Sequence, residues 1–92
     1  MNVIKTKIKD LLIIEPKVFG DDRGFFYEMY QKERYKAAGI TADFIQDNRS
    51  RSTKGVLRGL HFQKTKQQGK LVTVTDGEVF DVAVDLRPGS AT

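Results

Sequence analysis

The sequence predicts an all-β domain of mostly antiparallel strands with one short helix. Three observations predict it. Short apolar runs rich in Val, Ile and Phe alternate with breaks rich in Gly, Asp and Pro. The segment Lys70–Leu86 holds an Asp76-Gly77 pair between two alternating stretches, the strongest short-range sign of a β-hairpin. Only Gln31–Ala38 reads as a helix, and Gly39 follows it where helices end.

The elements follow in order. Met1 to Lys9 alternates loosely, with Ile4 and Ile8 on one side and Lys5, Lys7 and Lys9 on the other. That pattern suits an edge strand guarded by lysines. Leu11 to Glu15 is a short apolar strand stopped by Pro16. Phe19 to Gly24 reads as a turn or loop, and the aromatic-rich Phe25 to Tyr30 as a strand. After the helix come strands over Asp43–Gln46 and Val56–Gln63, joined by a polar loop from Asp47 to Lys54. A second polar loop, Lys64 to Gly69, leads into the hairpin. With a two-residue turn, Thr75 faces Glu78 and Val72 faces Asp81. One hairpin face then carries Leu71, Thr73, Phe80, Val82, Val84 and Leu86 and belongs to a core. The other mixes small aliphatics with Lys70, Asp81 and Asp85, and puts Lys70 diagonal to Asp81 as a charge partner. Such a face suits either solvent or a ligand cavity, and the neighbouring His61 strand favours the cavity. Arg87 to Ser90 is a turn. There is no internal repeat and no low-complexity tract.

Composition bounds the function. Ninety-two residues, 39% hydrophobic and 30% charged, make a single soluble domain over residues 1–92. No cysteine is present, which excludes disulfides, thiolate chemistry and thiolate-ligated zinc. One histidine and scattered carboxylates do not make a metal site. The net charge of +4 fits an anionic partner. The basic residues form no stripe, which argues against nucleic acid, and a nucleic-acid-binding barrel would leave Lys54–Gln63 unexplained. With no apolar leader and no run of membrane-spanning length, the expected location is the cytoplasm.

The most informative stretch is KGVLRGLHFQ, Lys54 to Gln63. It sets the sole histidine, His61, three residues after Arg58 and nine before Lys70. An unperturbed imidazole titrates at about 6.5, so much of it is free base at neutral pH. Lysine offers a compact charge where an oxyanion grows, and arginine a planar fork for phosphate oxygens. Gly59 can accommodate a bulge, which matters because positions three apart on a regular strand point to opposite faces. Taken singly, each residue has a plainer reading: a packed histidine, surface charges, core aromatics. The set, in this order, points to proton abstraction next to an oxyanion on an anionic substrate.

Three segments carry a resemblance. FGDDRGFFYE (Phe19–Glu28), QDNRSRSTKGVLRGLHFQ (Gln46–Gln63) and QGKLVTVTDGEVFDVAVDLRPGS (Gln68–Ser90) resemble the dTDP-4-dehydrorhamnose 3,5-epimerase family in order and spacing, over essentially the whole chain. The resemblance implies a cupin-type jelly roll, dimeric, with the site inside the barrel. It implies an isomerase that inverts C3 and C5 of dTDP-4-keto-6-deoxyglucose, on the way to dTDP-L-rhamnose, with no metal or organic cofactor. It makes His61 the catalytic base and sets Lys70 by the C4 oxygen, where it stabilises the enolate. It places Arg58 near the diphosphate, and Arg23, Glu28, Gln46, Asp47 and Asn48 on the nucleotide, with Arg23 and Glu28 reaching across the dimer. Phe26 would stack near the thymine. The implied partners are the nucleotide-sugar and a second copy of the chain, with no nucleic acid and no membrane. Related enzymes that act at one carbon share many of these motifs, so the number of carbons inverted stays open.

The family continues beyond the RPGS-like turn. That continuation holds the second half of the jelly roll, a tyrosine proposed as general acid, a second histidine, and the aspartate that orients the base. Tyr27, Tyr30 and Tyr35 do not match that tyrosine's motif. The expectation is therefore the N-terminal portion of an epimerase-type jelly roll. Its alternative is a truncated, non-catalytic module of the same fold that binds a nucleotide-sugar.

Overall fold

The computed structural model describes all 92 residues. Two antiparallel hairpins and one short helix form, so the chain is all-β with a single helical turn region.

The first hairpin pairs β1 (Asn2–Lys5) with β2 (Leu12–Glu15), with Val3 opposite Ile14 and Ile4 opposite Ile13. Val3, Leu12 and Ile14 are half-buried, while Ile4 and Ile13 face water. The connecting loop is organised by Thr6. Its hydroxyl donates to the Leu11 carbonyl at 2.8 Å and accepts the Ile8 amide at 3.2 Å. Asp10 takes the left-handed region at φ 70°, which aspartate tolerates better than most residues. The expected strand over Met1–Lys9 thus ends at Lys5, because the Thr6 contacts turn the chain.

The second hairpin pairs β3 (Val18–Asp21) with β4 (Gly24–Tyr27). The turn is only Asp22-Arg23, so the expected loop over Phe19–Gly24 is shorter than read from the sequence. The cause is visible in the register. Phe19 lies opposite Phe26, and this cross-strand aromatic pair extends the ladder toward the turn.

The helix α1 (Lys32–Ala37) is capped at both ends. The Gln31 side chain accepts the Arg34 amide at 2.6 Å. Glu33 lies in the first turn and Lys36 in the last, matching the helix dipole. Gly39 sits at φ 94°, donating to the Lys36 carbonyl at 3.0 Å, while Ile40 donates to the Tyr35 carbonyl at 2.9 Å. These two bonds make a Schellman ending, which needs the left-handed residue that glycine supplies. Six residues are too few for a helix to persist alone. Tyr35 anchors this one. It is the one buried residue of the chain, packed edge-on to Tyr30 at 4.8 Å, with its hydroxyl donating to the Met29 carbonyl at 2.8 Å. Tyr30 in turn meets Phe44 at 5.3 Å, and Lys32 pairs with Asp43 at 3.2 Å.

From Thr41 onward no ladder forms. The strands expected over Asp43–Gln46, Val56–Gln63 and the Lys70–Leu86 hairpin are corrected accordingly. The turns between them persist: bends at Lys64–Lys66 and Asp76-Gly77, with Gly77 at φ 81°. The intended core face is open, with Phe80 94% exposed and only Leu71 half-buried. Lys70 and Asp81 form no ion pair. The reason is physical. A strand with one apolar face is held by the layer that covers that face, and nothing covers Phe80 or Val82 here. The whole chain shows this lack of a layer. Its radius of gyration is 15.4 Å, against about 12 Å for a compact chain of this length.

Candidate functional site

The tip of the second hairpin forms an open cleft of about 340 Å³, lined by Phe19, Gly20, Asp21, Arg23, Gly24, Phe25 and Phe26. The sequence builds it simply. A two-residue turn brings Asp21 and Arg23 to the same end, and the aromatic residues of β3 and β4 flank them. Asp21 accepts the Arg23 amide at 2.9 Å, and its Oδ2 accepts from Arg23 Nη2 at 2.6 Å and from Nε at 3.2 Å. The Arg23 guanidinium and then its amide hold the Asp21 carboxyl below the usual carboxylate range. Arg23 keeps its Nη1 free of these contacts, and the side chain is 91% exposed. A guanidinium fixed at one edge and open at the other, beside exposed phenyl rings, can hold a phosphate oxygen and a flat base together. Lys17 adds a cation 5.1 Å from the Phe19 ring centroid. Phe25, which also lines the cleft, stacks on Tyr27 at 5.9 Å.

Of the residues singled out in the sequence, Arg23 and Phe26 meet in this cleft. Glu28 lies just past β4 and is engaged by the Arg34 guanidinium. Gln46 Nε2 donates to Asn48 Oδ1 at 3.3 Å, so the two amides pair with each other, and Asp47 between them is exposed. Arg58 donates from Nε to the Ser52 hydroxyl at 2.7 Å. His61 and Lys70 are exposed and lie in segments without strand pairing. Arg58, His61 and Lys70 do not line the cleft. Gly59 takes φ 104°, so the chain between Arg58 and His61 does depart from a regular strand.

Two features escaped the sequence reading. Asp21 was passed over as part of a turn, although an aspartate whose side chain accepts the backbone N–H two residues on, as here from Arg23, is a recurrent turn device. The second is a clasp around Arg87. Its guanidinium donates to both Asp85 oxygens at 2.8 and 2.9 Å, to Asp10 at 3.0 Å and to the Lys9 carbonyl at 2.7 Å. Ser90 donates to Asp85 at 2.7 Å. The clasp ties the loop after β1 to the last turn of the chain. Hydrogen bonds from Arg87 and then from Ser90 hold the Asp85 carboxyl well below the usual range, and Asp85 raises Arg87 in return. No three His, Asp or Glu side chains converge as a metal site would require. No helix is long and apolar enough to cross a membrane.

Comparison with known proteins decides the family. The dTDP-4-dehydrorhamnose 3,5-epimerase family profile matches residues 5–92. The chain belongs to the dTDP-4-dehydrorhamnose 3,5-epimerase family. Among the curated epimerases of that name, the Escherichia coli protein is 58% identical over 94 residues, covering all of this chain and 51% of the relative. The Pseudomonas aeruginosa protein is 57% identical over 93 residues, again all of this chain and 51% of the relative. That of Methanothermobacter thermautotrophicus is 54% identical over 89 residues, 97% of this chain and 48% of the relative. The chain thus spans about half the length of these epimerases. No solved structure matches it.

Proposed function

We propose that this chain carries the base and the nucleotide-binding residues of a cofactor-independent 3,5-epimerase acting on dTDP-4-keto-6-deoxyglucose. The observation that supports this best is the family match across residues 5–92, which contains the whole Arg58, His61 and Lys70 set. In the reaction, the C4 ketone acidifies the adjacent C–H bonds. His61 takes a proton from one of these carbons. The electron pair moves into the C–C bond and onto the C4 oxygen, and the Lys70 ammonium stabilises the resulting enolate. Return of a proton from the opposite face inverts the carbon, and that donor comes from the part of the family fold outside this chain. Arg58 holds the diphosphate. Arg23 and Phe26, which line the same cleft, take the nucleotide, with Glu28, Gln46, Asp47 and Asn48 completing its contacts. The working form is a cytoplasmic homodimer of the cupin-type jelly roll.

The test is deuterium wash-in from D₂O into C3 and C5 of the sugar. Label above the enzyme-free rate and lost in His61→Ala is the expected result. Equal label with and without His61 would sink the assignment. One observation favours a second reading. His61 is exposed and no carboxylate orients its ring. A module that binds the nucleotide-sugar without chemistry would show saturable dTDP binding and no label at either carbon.

A further inference from the structure

We infer that Arg34 is a positioning residue for nucleotide binding: from helix α1 it holds the Glu28 carboxylate in one orientation before the ligand arrives. The inference rests on the nucleotide role proposed for Glu28 and goes beyond it, because Arg34 itself is placed in no nucleotide contact.

Glu28 follows β4 directly and stands two residues after Phe26 of the cleft. Its side chain makes one polar contact within the chain, accepting from Arg34 Nη1 at Oε2. Oε1 is left open, and the side chain is 43% exposed. A carboxylate with one oxygen fixed and the other open is an acceptor set for an N–H or O–H of a ligand. Arg23 shows the same arrangement with the charges reversed: Asp21 fixes Nε and Nη2, and Nη1 stays open. The main chain beside Glu28 is held by the same helix. The Tyr35 hydroxyl donates to the Met29 carbonyl at 2.8 Å, and the Tyr35 ring meets Tyr30 at 4.8 Å. Arg34 immediately precedes Tyr35, so adjacent residues of α1 fix the carboxylate and the backbone that carries it. Glutamate is among the side chains that lose most rotamer freedom when ordered. An exposed ion pair adds little to stability. The use of this one lies in ordering Glu28 ahead of binding, which lowers what the ligand must supply.

The test is calorimetric titration of dTDP into the chain and its variants. Arg34→Ala keeps a strong helix former at this position, and the bond from the residue-34 amide to Gln31 survives. The variant should weaken dTDP binding by about threefold, the low end of the roughly two- to tenfold that ordering one flexible side chain is worth. Arg34→Lys keeps a cation for Glu28 and should restore most of the loss. In a Glu28→Gln background, Arg34→Ala should cost nothing further, because no carboxylate is left to hold. Amide exchange at Ala38, Gly39 and Ile40 should stay unchanged in every variant, which separates positioning from helix stability. Three results would overturn the inference: unchanged affinity in Arg34→Ala; the same loss in both backgrounds, as a bare effect of charge or fold would give; or protection at Ala38, Gly39 and Ile40 lost together with the affinity. No dTDP binding by the unaltered chain, or no loss in Glu28→Gln, would condemn the nucleotide role itself and the positioning with it. A loss in Glu28→Gln with none in Arg34→Ala would condemn Arg34 alone.

Discussion

Replacing Tyr35 with alanine should dissolve the one closed packing unit of this chain. The ring is 3% exposed, edge-on to Tyr30, which is itself edge-on to Phe44. Truncating a buried aromatic costs about 3–5 kcal/mol. The cover here comes from one short stretch rather than a deep core, so the lower end, about 3 kcal/mol, applies. Helix α1 has six residues, well short of the roughly 12–15 at which isolated helices become even marginal. A loss of that size therefore exceeds what the helix can absorb, and it should unfold. Tyr35→Phe isolates the hydroxyl. It keeps the ring and removes the bond to the Met29 carbonyl. Met29 is 47% exposed, so water replaces the lost donor. The cost should be about 0.5 kcal/mol, or roughly twofold in the opening equilibrium. The assay is amide exchange at Ala38, Gly39 and Ile40, whose N–H groups donate to the carbonyls of Arg34, Tyr35 and Lys36. Protection should vanish in Tyr35→Ala and survive in Tyr35→Phe. Unchanged protection in the alanine variant would refute the packing argument. Equal damage in both would mean that the hydrogen bond, not the ring, holds the helix.

Further outcomes follow from the same contacts. Burial, then the Glu28 carboxylate and Tyr30, raise the Tyr35 phenol. Its contribution is therefore complete below the unfolded value of about 10 and lost as pH rises through the higher folded one; tyrosinate absorbance should follow the exchange signal, and Tyr35→Phe should abolish the dependence. Gly39→Ala forces a side chain into φ 94° and should cost about 1–2 kcal/mol of helix stability by exchange, with no change meaning that the ending re-forms without the left-handed residue. The Asp85 carboxyl is depressed by Arg87 and Ser90, so the clasp should hold above the unfolded carboxylate value of about 3.9 and be lost as pH falls below it, through the folded value. Nuclear magnetic resonance shifts at Lys9 and Asp10 should report its release, and Arg87→Ala should remove the pH response. Arg23→Ala should weaken dTDP binding by about tenfold, the loss of a charge-assisted bond; unchanged affinity by calorimetry would remove Arg23 from the site.

The sequence was most legible where structure is local. Gln31, Glu33 and Gly39 specify the ends of α1 by side-chain and backbone bonds that close within a few residues. Pro16 marks the end of β2 for the same reason. The β3–β4 turn was placed but drawn too wide, because composition reports the Gly and Asp residues and not the Phe19–Phe26 pairing that lengthens the ladder. Asp43–Gln46 and Val56–Gln63 were read from short apolar runs, and the Lys70–Leu86 hairpin from alternation. Alternation states which face seeks burial, and it does not supply the surface that buries it. The site divides along the same line. Arg23 and Phe26 line one cleft because the tight turn that holds Arg23 leads directly into β4. Arg58, His61 and Lys70 lie on segments without strand pairing and do not line the cleft. The Arg87 clasp was missed because Asp10 and Arg87 are 77 residues apart, a separation no local pattern encodes.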